Sequence, residues 1–264
     1  MASDLLKLRA TIVARIKVAE LIQDFDEMAA VVKELVELDP NLNNEELYWL
    51  SVAYKKCVNA RRNSCITVNN ALIKEQEAGN MKNVDKAQSL LEVIQNEIRN
   101  YCEEILDLLE TKLLLHADTD NAKVVCWKLM GDHNRFLAEI ETGETRQLIL
   151  ENANRAYSSG HELATSSLEI AHPLRLAICL NYSIFKYEFL NEYQDAHNMA
   201  TNAYNEGING IRTPGDKDGV KRLAVTTFLH DNCSAWIDSK DLEKKKPEET
   251  PEDESLDSVA EENS

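Results

Sequence analysis

The sequence predicts an all-α protein of nine antiparallel helices, and three observations carry that expectation. Glycine and proline are scarce, eight and five in 264 residues, and they fall mostly between patterned segments. Apolar residues recur at three- and four-residue intervals along most of the chain. No alternation of period two competes with that pattern anywhere.

Taken in order, the first helix runs to about Ile22. Leu5, Leu8, Ile12, Ile16 and Ala19 form its apolar stripe, and Asp4 suits the positive end of its dipole. The second, Asp26 to Leu38, carries Met28, Val31, Val32, Leu35 and Leu38 and stops at Asp39-Pro40. Asn43 or Asn44, followed by Glu45 and Glu46, caps a third helix that continues to about Lys74. Ala78-Gly79-Asn80 breaks the chain before a fourth helix, Val84 to Leu115, with Leu91, Ile94, Ile98, Cys102, Ile105 and Leu109 as its stripe. The third and fourth helices match in length across a short turn, which predicts a hairpin burying one face of each. After a polar loop from His116 to Asn121, the fifth helix spans Ala122 to Glu141 and ends at Thr142-Gly143. The sixth covers Thr145 to Ser167. His172-Pro173 opens the seventh, which reaches Leu190, with proline where a missing donor does no harm. The eighth runs from Tyr193 to Ile211, and the ninth from Val220 to Ile237 after a turn containing Pro214 and Gly215. Helix pairs invite a solenoid reading, but no residue types recur at a fixed period.

Residues 1–238 thus make one helical domain, and 239–264 a tail. Residues 247–264 hold eight acidic side chains, no basic one and few apolar ones, too little apolar surface to order the segment. The chain carries −17, and without this segment −17 + 8 = −9. Such a charge opposes nucleic acid or an anionic membrane as a general partner. No apolar run is long enough to span a bilayer. Lys7, Arg9, Arg15 and Lys17 among Leu5, Leu8, Ile12 and Ile16 resemble a transit peptide, but the same residues serve an amphipathic first helix. The six cysteines form no CxxC pair and mostly sit inside helical apolar patterns, as reduced core residues of a cytoplasmic or nuclear protein.

Chemistry is absent from the usual places. The six histidines form neither HxxxH nor HExxH, and there is no glycine-rich phosphate loop and no GxSxG. We expect no metal, no cofactor and no catalysis. Two cationic columns are more informative. Lys55 and Arg62 lie seven residues apart on the third helix, and Lys128 and Arg135 seven apart on the fifth, so each pair shares a helix face. Stacked cations repel one another. Facing each other across a groove, the two columns would hold a dianion such as a phosphate ester, with its three acceptor oxygens. Solvated basic faces would show the same spacing. An opposite wall comes from Leu180, Ile184 and Tyr187, with Asn181 and Glu188 beside them, and from Phe228, Asn232 and Trp236 on the ninth helix. Apolar residues flanked by amides suit an extended peptide, although core packing with two satisfied amides would read alike.

These segments together resemble the 14-3-3 proteins over nearly the whole chain. The carriers are Leu50-Ser-Val-Ala-Tyr-Lys55, Ala60-Arg-Arg62, Lys128 to Glu139 with Gly131-Asp132 and Arg135-Phe-Leu-Ala-Glu139, His172-Pro-Leu-Arg-Leu176, Leu180 to Phe185 with Tyr187-Glu188, and Asp231-Asn232 with Trp236. The resemblance implies a cup-shaped, usually dimeric protomer with a concave amphipathic groove, an adaptor for phosphoserine and phosphothreonine motifs without catalysis. Lys55, Arg62 and Arg135 would grip the phosphate. Lys128 and Phe136 would line the groove beside them. Asn181 and Asn232 would hold the ligand backbone, Glu188 and Trp236 would support it, and Leu180 and Ile184 would form the apolar wall.

Departures from the family pattern are specific. Phe136 follows Arg135 where the family has Tyr, removing one hydroxyl donor to the phosphate. Ala224 replaces a larger aliphatic residue, Cys65 a Trp, and Lys186 an aromatic. On the dimer face, Asp24 stands where a basic residue is usual and Val93 where a Lys meets an acidic partner, so Glu27 loses its cross-subunit cation. Ile22, Phe25 and Met28 are the apolar residues expected to compensate in a homodimer or heterodimer. Thr250, Ser255, Ser258 and Ser264 lie among carboxylates in the tail, which either occupies the basic groove or only keeps the chain soluble. Equal peptide affinity with and without residues 240–264 would dispose of self-occupancy.

Overall fold

The computed structural model describes residues 2–210 and 218–244, with side chains of 4–210 and 218–236. Among these residues there are nine helices and no strand: α1 (Ala2–Ile22), α2 (Phe25–Leu38), α3 (Asn44–Glu77), α4 (Met81–Leu108), α5 (Asp120–Ala138), α6 (Gly143–Ser167), α7 (Pro173–Glu188), α8 (Tyr193–Gly210) and α9 (Gly219–Lys244). Helix α4 runs on through a π turn, Leu109–Leu113, and a last helical turn, Leu114–His116. The sequence did not signal that extra residue. Leu109 and Leu113, the first and last residues of that turn, are both buried in the core.

Local chemistry sets the boundaries. Asn43, not Asn44, caps α3: its side chain accepts from the Glu45 and Glu46 amides, while Glu46 returns a bond to the Asn43 amide. Arg9 of α1 closes on the same Glu46 at 2.8 Å, fastening the first helix to the start of the third. His172 caps α7 ahead of Pro173. Gly79 and Gly143 turn the chain at positive φ, 71° and 62°. The turn containing Pro214 and Gly215, and the tail residues from 245 on, lie outside the described residues.

Successive helices pack against each other from α1 to α4 and from α5 to α9. A second set of contacts matters more for function. Helix α3 touches α5, α5 touches α7, and α7 touches α9, so these four helices form one continuous row. Every residue expected in the groove sits on that row. The core divides into a cluster around α1 to α5, centred on residues such as Met28, Leu50, Tyr54 and Ile105, and others between α5 and α9.

Two expectations about α1 and α2 need correction. Ile12, Ile16 and Ala19 are buried as expected, but Leu5 and Leu8 at the same spacing stay exposed, because the packed stretch of α1 begins only after them. Met28 is fully buried in the protomer's own core, and Phe25 packs partly against it. Met28 is therefore not free to form a dimer face as Ile22 is, since the periodicity of α2 turns it inward; Phe25 is half-buried.

Candidate functional site

Helix α5 is the pivot of the row. Gly131, Asp132, His133, Asn134 and Phe136 are consecutive or nearly so, and all are buried, so this helix is covered on most sides. A Cβ at Gly131 would come within 2.6 Å of the Tyr157 ring. Its absence lets Tyr157 of α6 lie across α5 and donate its hydroxyl to Asp132 at 2.7 Å. Asp132 also accepts from Lys128 at 2.6 Å and from Asn181 of α7 at 2.6 Å. One buried carboxylate therefore ties α5, α6 and α7 together. Lys128 and Arg135 hold that carboxyl well below the usual carboxylate range, overcoming the burial that opposes ionisation.

Asp132 holds Lys128 by direct contact and acts on the other cations through its field. Arg135 feels its field, and Lys55 on α3 lies within the field of Lys128, Asp132 and Arg135 together. Desolvation first, then repulsion from Lys128, lowers the Lys55 ammonium below the ordinary lysine value. Among the described residues Lys55 ends in no ion pair, unlike its three cationic neighbours. An ammonium pushed downward by other cations and lacking a counter-ion is one that an added anion would relieve.

Arg62 completes the convergence. It donates from Nε and Nη2 to the two oxygens of Glu139, at 2.5 and 2.8 Å, and from Nη1 to Asn59 at 3.0 Å. Arg135 approaches the same Glu139 at 3.4 Å. Both guanidinia sit against the buried Phe136 ring, 4.8 Å from Arg62 and 4.7 Å from Arg135. Glu188 of α7 lies in the field of Arg135, Glu139 and Arg62, its carboxyl raised mainly by desolvation. Four cations thus meet three carboxylates in one region.

The structure brings together Lys55, Arg62, Lys128, Arg135 and Phe136, and links Asn181 to them through Asp132. Lys128 is engaged with Asp132, so the second cationic column is half neutralised from within. Leu180 and Ile184 are half-buried and pack with Tyr187 against the cluster that holds Trp236. Trp236 stacks on Tyr187 at 4.4 Å and is only 8% exposed, so its ring serves the packing of α9 on α7 more than an open surface. Asn232 is half-buried one turn earlier, with no hydrogen bond to the cationic cluster among the described residues. Phe228, at the same spacing, stays exposed. Lys186 leaves the groove for Glu192 and the Tyr182 ring. Sequence reasoning missed the roles of Asp132, Tyr157 and Glu139. The signal for the first was a Lys and an Asp four apart, a common pairing in so acidic a chain. Among the described residues no group of three His, Cys, Asp or Glu could hold a metal, and no helix is long and apolar enough to cross a membrane.

The sequence model of the family described as "14-3-3 protein" matches residues 15–237. A curated relative, 14-3-3 protein beta/alpha-B of Xenopus laevis, is 33% identical over 228 residues, which is 86% of this chain and 93% of the relative. Another, 14-3-3 protein zeta of Bombyx mori, is 33% identical over 238 residues, 90% of this chain and 96% of the relative.

Proposed function

This chain belongs to the 14-3-3 family, and from that premise we propose that it is a non-catalytic adaptor binding phosphoserine and phosphothreonine motifs of client proteins. The observation that carries the reading is the convergence of Lys55 and Arg62 from α3 with Arg135 from α5, with Lys55 lacking a counter-ion among the described residues. Lys55, Arg62 and Arg135 take the phosphate. Asn181 and Asn232 hold the ligand backbone, with Leu180 and Ile184 beneath its side chains. The test is one peptide in phosphorylated and unphosphorylated form, titrated by fluorescence anisotropy. Only the phosphorylated form should bind.

A second reading is a scaffold of the same fold with weakened phosphate dependence. Two features favour it: Phe136 offers no hydroxyl, and Arg62 is already taken by Glu139. Phe136→Tyr separates the two. A restored charge-assisted bond of about 1.5 kcal/mol would tighten phosphopeptide binding by roughly tenfold. No change in affinity would favour the scaffold.

We further propose a dimer, with itself or another family member, working in the cytoplasm or nucleus. Asp24 caps α2 by accepting from the Glu27 amide at 3.1 Å, and Glu27 pairs with Arg15 of its own chain at 3.0 Å. The exposed residues Val18, Leu21 and Ile22 on α1, with Leu90 and Val93 on α4, are what support an apolar association. Sedimentation at micromolar concentration should then show a dimer that persists as salt is raised to about 1 M, where ion pairs are screened. A monomer would overturn it.

A further inference from the structure

We propose that Glu139 sets the charge this site accepts, admitting a doubly charged phosphate ester and refusing a singly charged carboxylate; the inference rests on the phosphopeptide reading above. Glu139 already occupies the place a weak anion would take. Its two oxygens receive a bidentate pair from Arg62 and a longer contact from Arg135. It sits at the C-terminal cap of α5, where the helix dipole disfavours a negative charge. The two arginines therefore hold it, and the backbone does not.

An incoming carboxylate would exchange like for like. It would take the Arg62 edge, expel Glu139 toward Glu188, and leave the charge balance of the site poorer by one repulsion. A phosphate dianion differs in kind. With three acceptor oxygens it engages Lys55, which makes no ion pair among the described residues, together with Arg135 and the outer edge of Arg62 while Glu139 keeps its pair, so it escapes the displacement cost that a carboxylate bears. Phe136 sharpens the discrimination. Its ring stabilises both guanidinia but donates no hydrogen bond, so no neutral donor supplements a weak anion. Charge is left to decide.

Three peptides of one sequence, with phosphoserine, glutamate or serine at the centre, test this against the wild-type chain, Glu139→Gln and Glu139→Ala. Circular dichroism confirms that each variant keeps its helices. The wild type should bind the phosphopeptide at least about 100-fold tighter than the glutamate peptide. In Glu139→Gln the glutamate peptide should gain about tenfold while the phosphopeptide shifts by less than about threefold, so the ratio collapses by roughly a factor of ten. Glu139→Ala should follow it. An unchanged ratio, or a common loss for both anionic peptides, would overturn the inference and make Glu139 a residue that only positions Arg62. A wild type that binds phosphoserine and serine peptides alike would defeat the phosphate reading itself, and this inference with it.

Discussion

Lys55→Glu should lower phosphopeptide affinity by two to three orders of magnitude while leaving the fold intact. The side chain is exposed and makes no ion pair among the described residues, so its loss strands no buried partner. What disappears is one charge-assisted contact to the phosphate, about 1.5–3 kcal/mol, and a carboxylate now faces the ligand's charge at close range. The sum is on the order of 3–4 kcal/mol, or roughly 200- to 1,000-fold. The substitution also relieves repulsion: Lys128 and Arg135 lose a cationic neighbour, so thermal stability should hold or rise slightly. Anisotropy titration with the wild type in parallel reads the affinity, and a melting curve reads the fold. Binding within about threefold of wild type would remove Lys55 from the site.

How much of this was legible beforehand depended on range. Helix existence and order followed from apolar periodicity, because each helix buries one stripe and the short connections leave few ways to pair them. Boundaries followed wherever a side chain met an orphan backbone group, as at Asn43 and His172. The π turn at Leu109 was not legible, since one inserted residue leaves the apolar pattern nearly unchanged over so short a stretch. The cationic residues were found by spacing on single helices, and their convergence came from the resemblance. Apart from Glu188, which stood beside the apolar wall and in the resemblance, the anionic half was invisible for a physical reason. With 46 acidic residues in the chain, no carboxylate stands out by type. Asp132, Glu139 and Glu188 matter because α5 and α7 place them against the cations, and that is a property of packing. Met28 shows the opposite failure: it was read as a surface residue from its place in a family interface, whereas the α2 stripe Met28, Val31, Val32, Leu35 already put it inside.

Asp132→Ala should be the most destabilising single change in the site. It removes an acceptor that serves the Tyr157 hydroxyl, the Asn181 amide and the Lys128 ammonium at once. Tyr157 is fully buried and its hydroxyl proton would lose its acceptor, since the Arg135 guanidinium beside it only donates. Lys128 reaches the surface in part and can swing toward water, which lowers the penalty below that of a sealed ion pair. A loss of about 3 kcal/mol follows, or roughly 6–12 °C in melting temperature for a folded body of this size. Tyr157→Phe, which deletes one donor and keeps the ring over Gly131, should cost about 1 kcal/mol. The pH dependence has a definite sign. The Asp132 carboxyl titrates far below its unfolded value near 4, so the unfolded chain binds the extra proton. The stabilisation is complete above about pH 5 and drains away as pH falls below the unfolded value. The gap in melting temperature between wild type and Asp132→Ala should therefore be widest at neutral pH and narrow steadily toward pH 3. A gap that stays constant over that range would mean that the carboxylate acts through its shape alone. In that case the cations above it would owe their orientation to packing, and Asp132→Asn would bind phosphopeptide as well as the wild type.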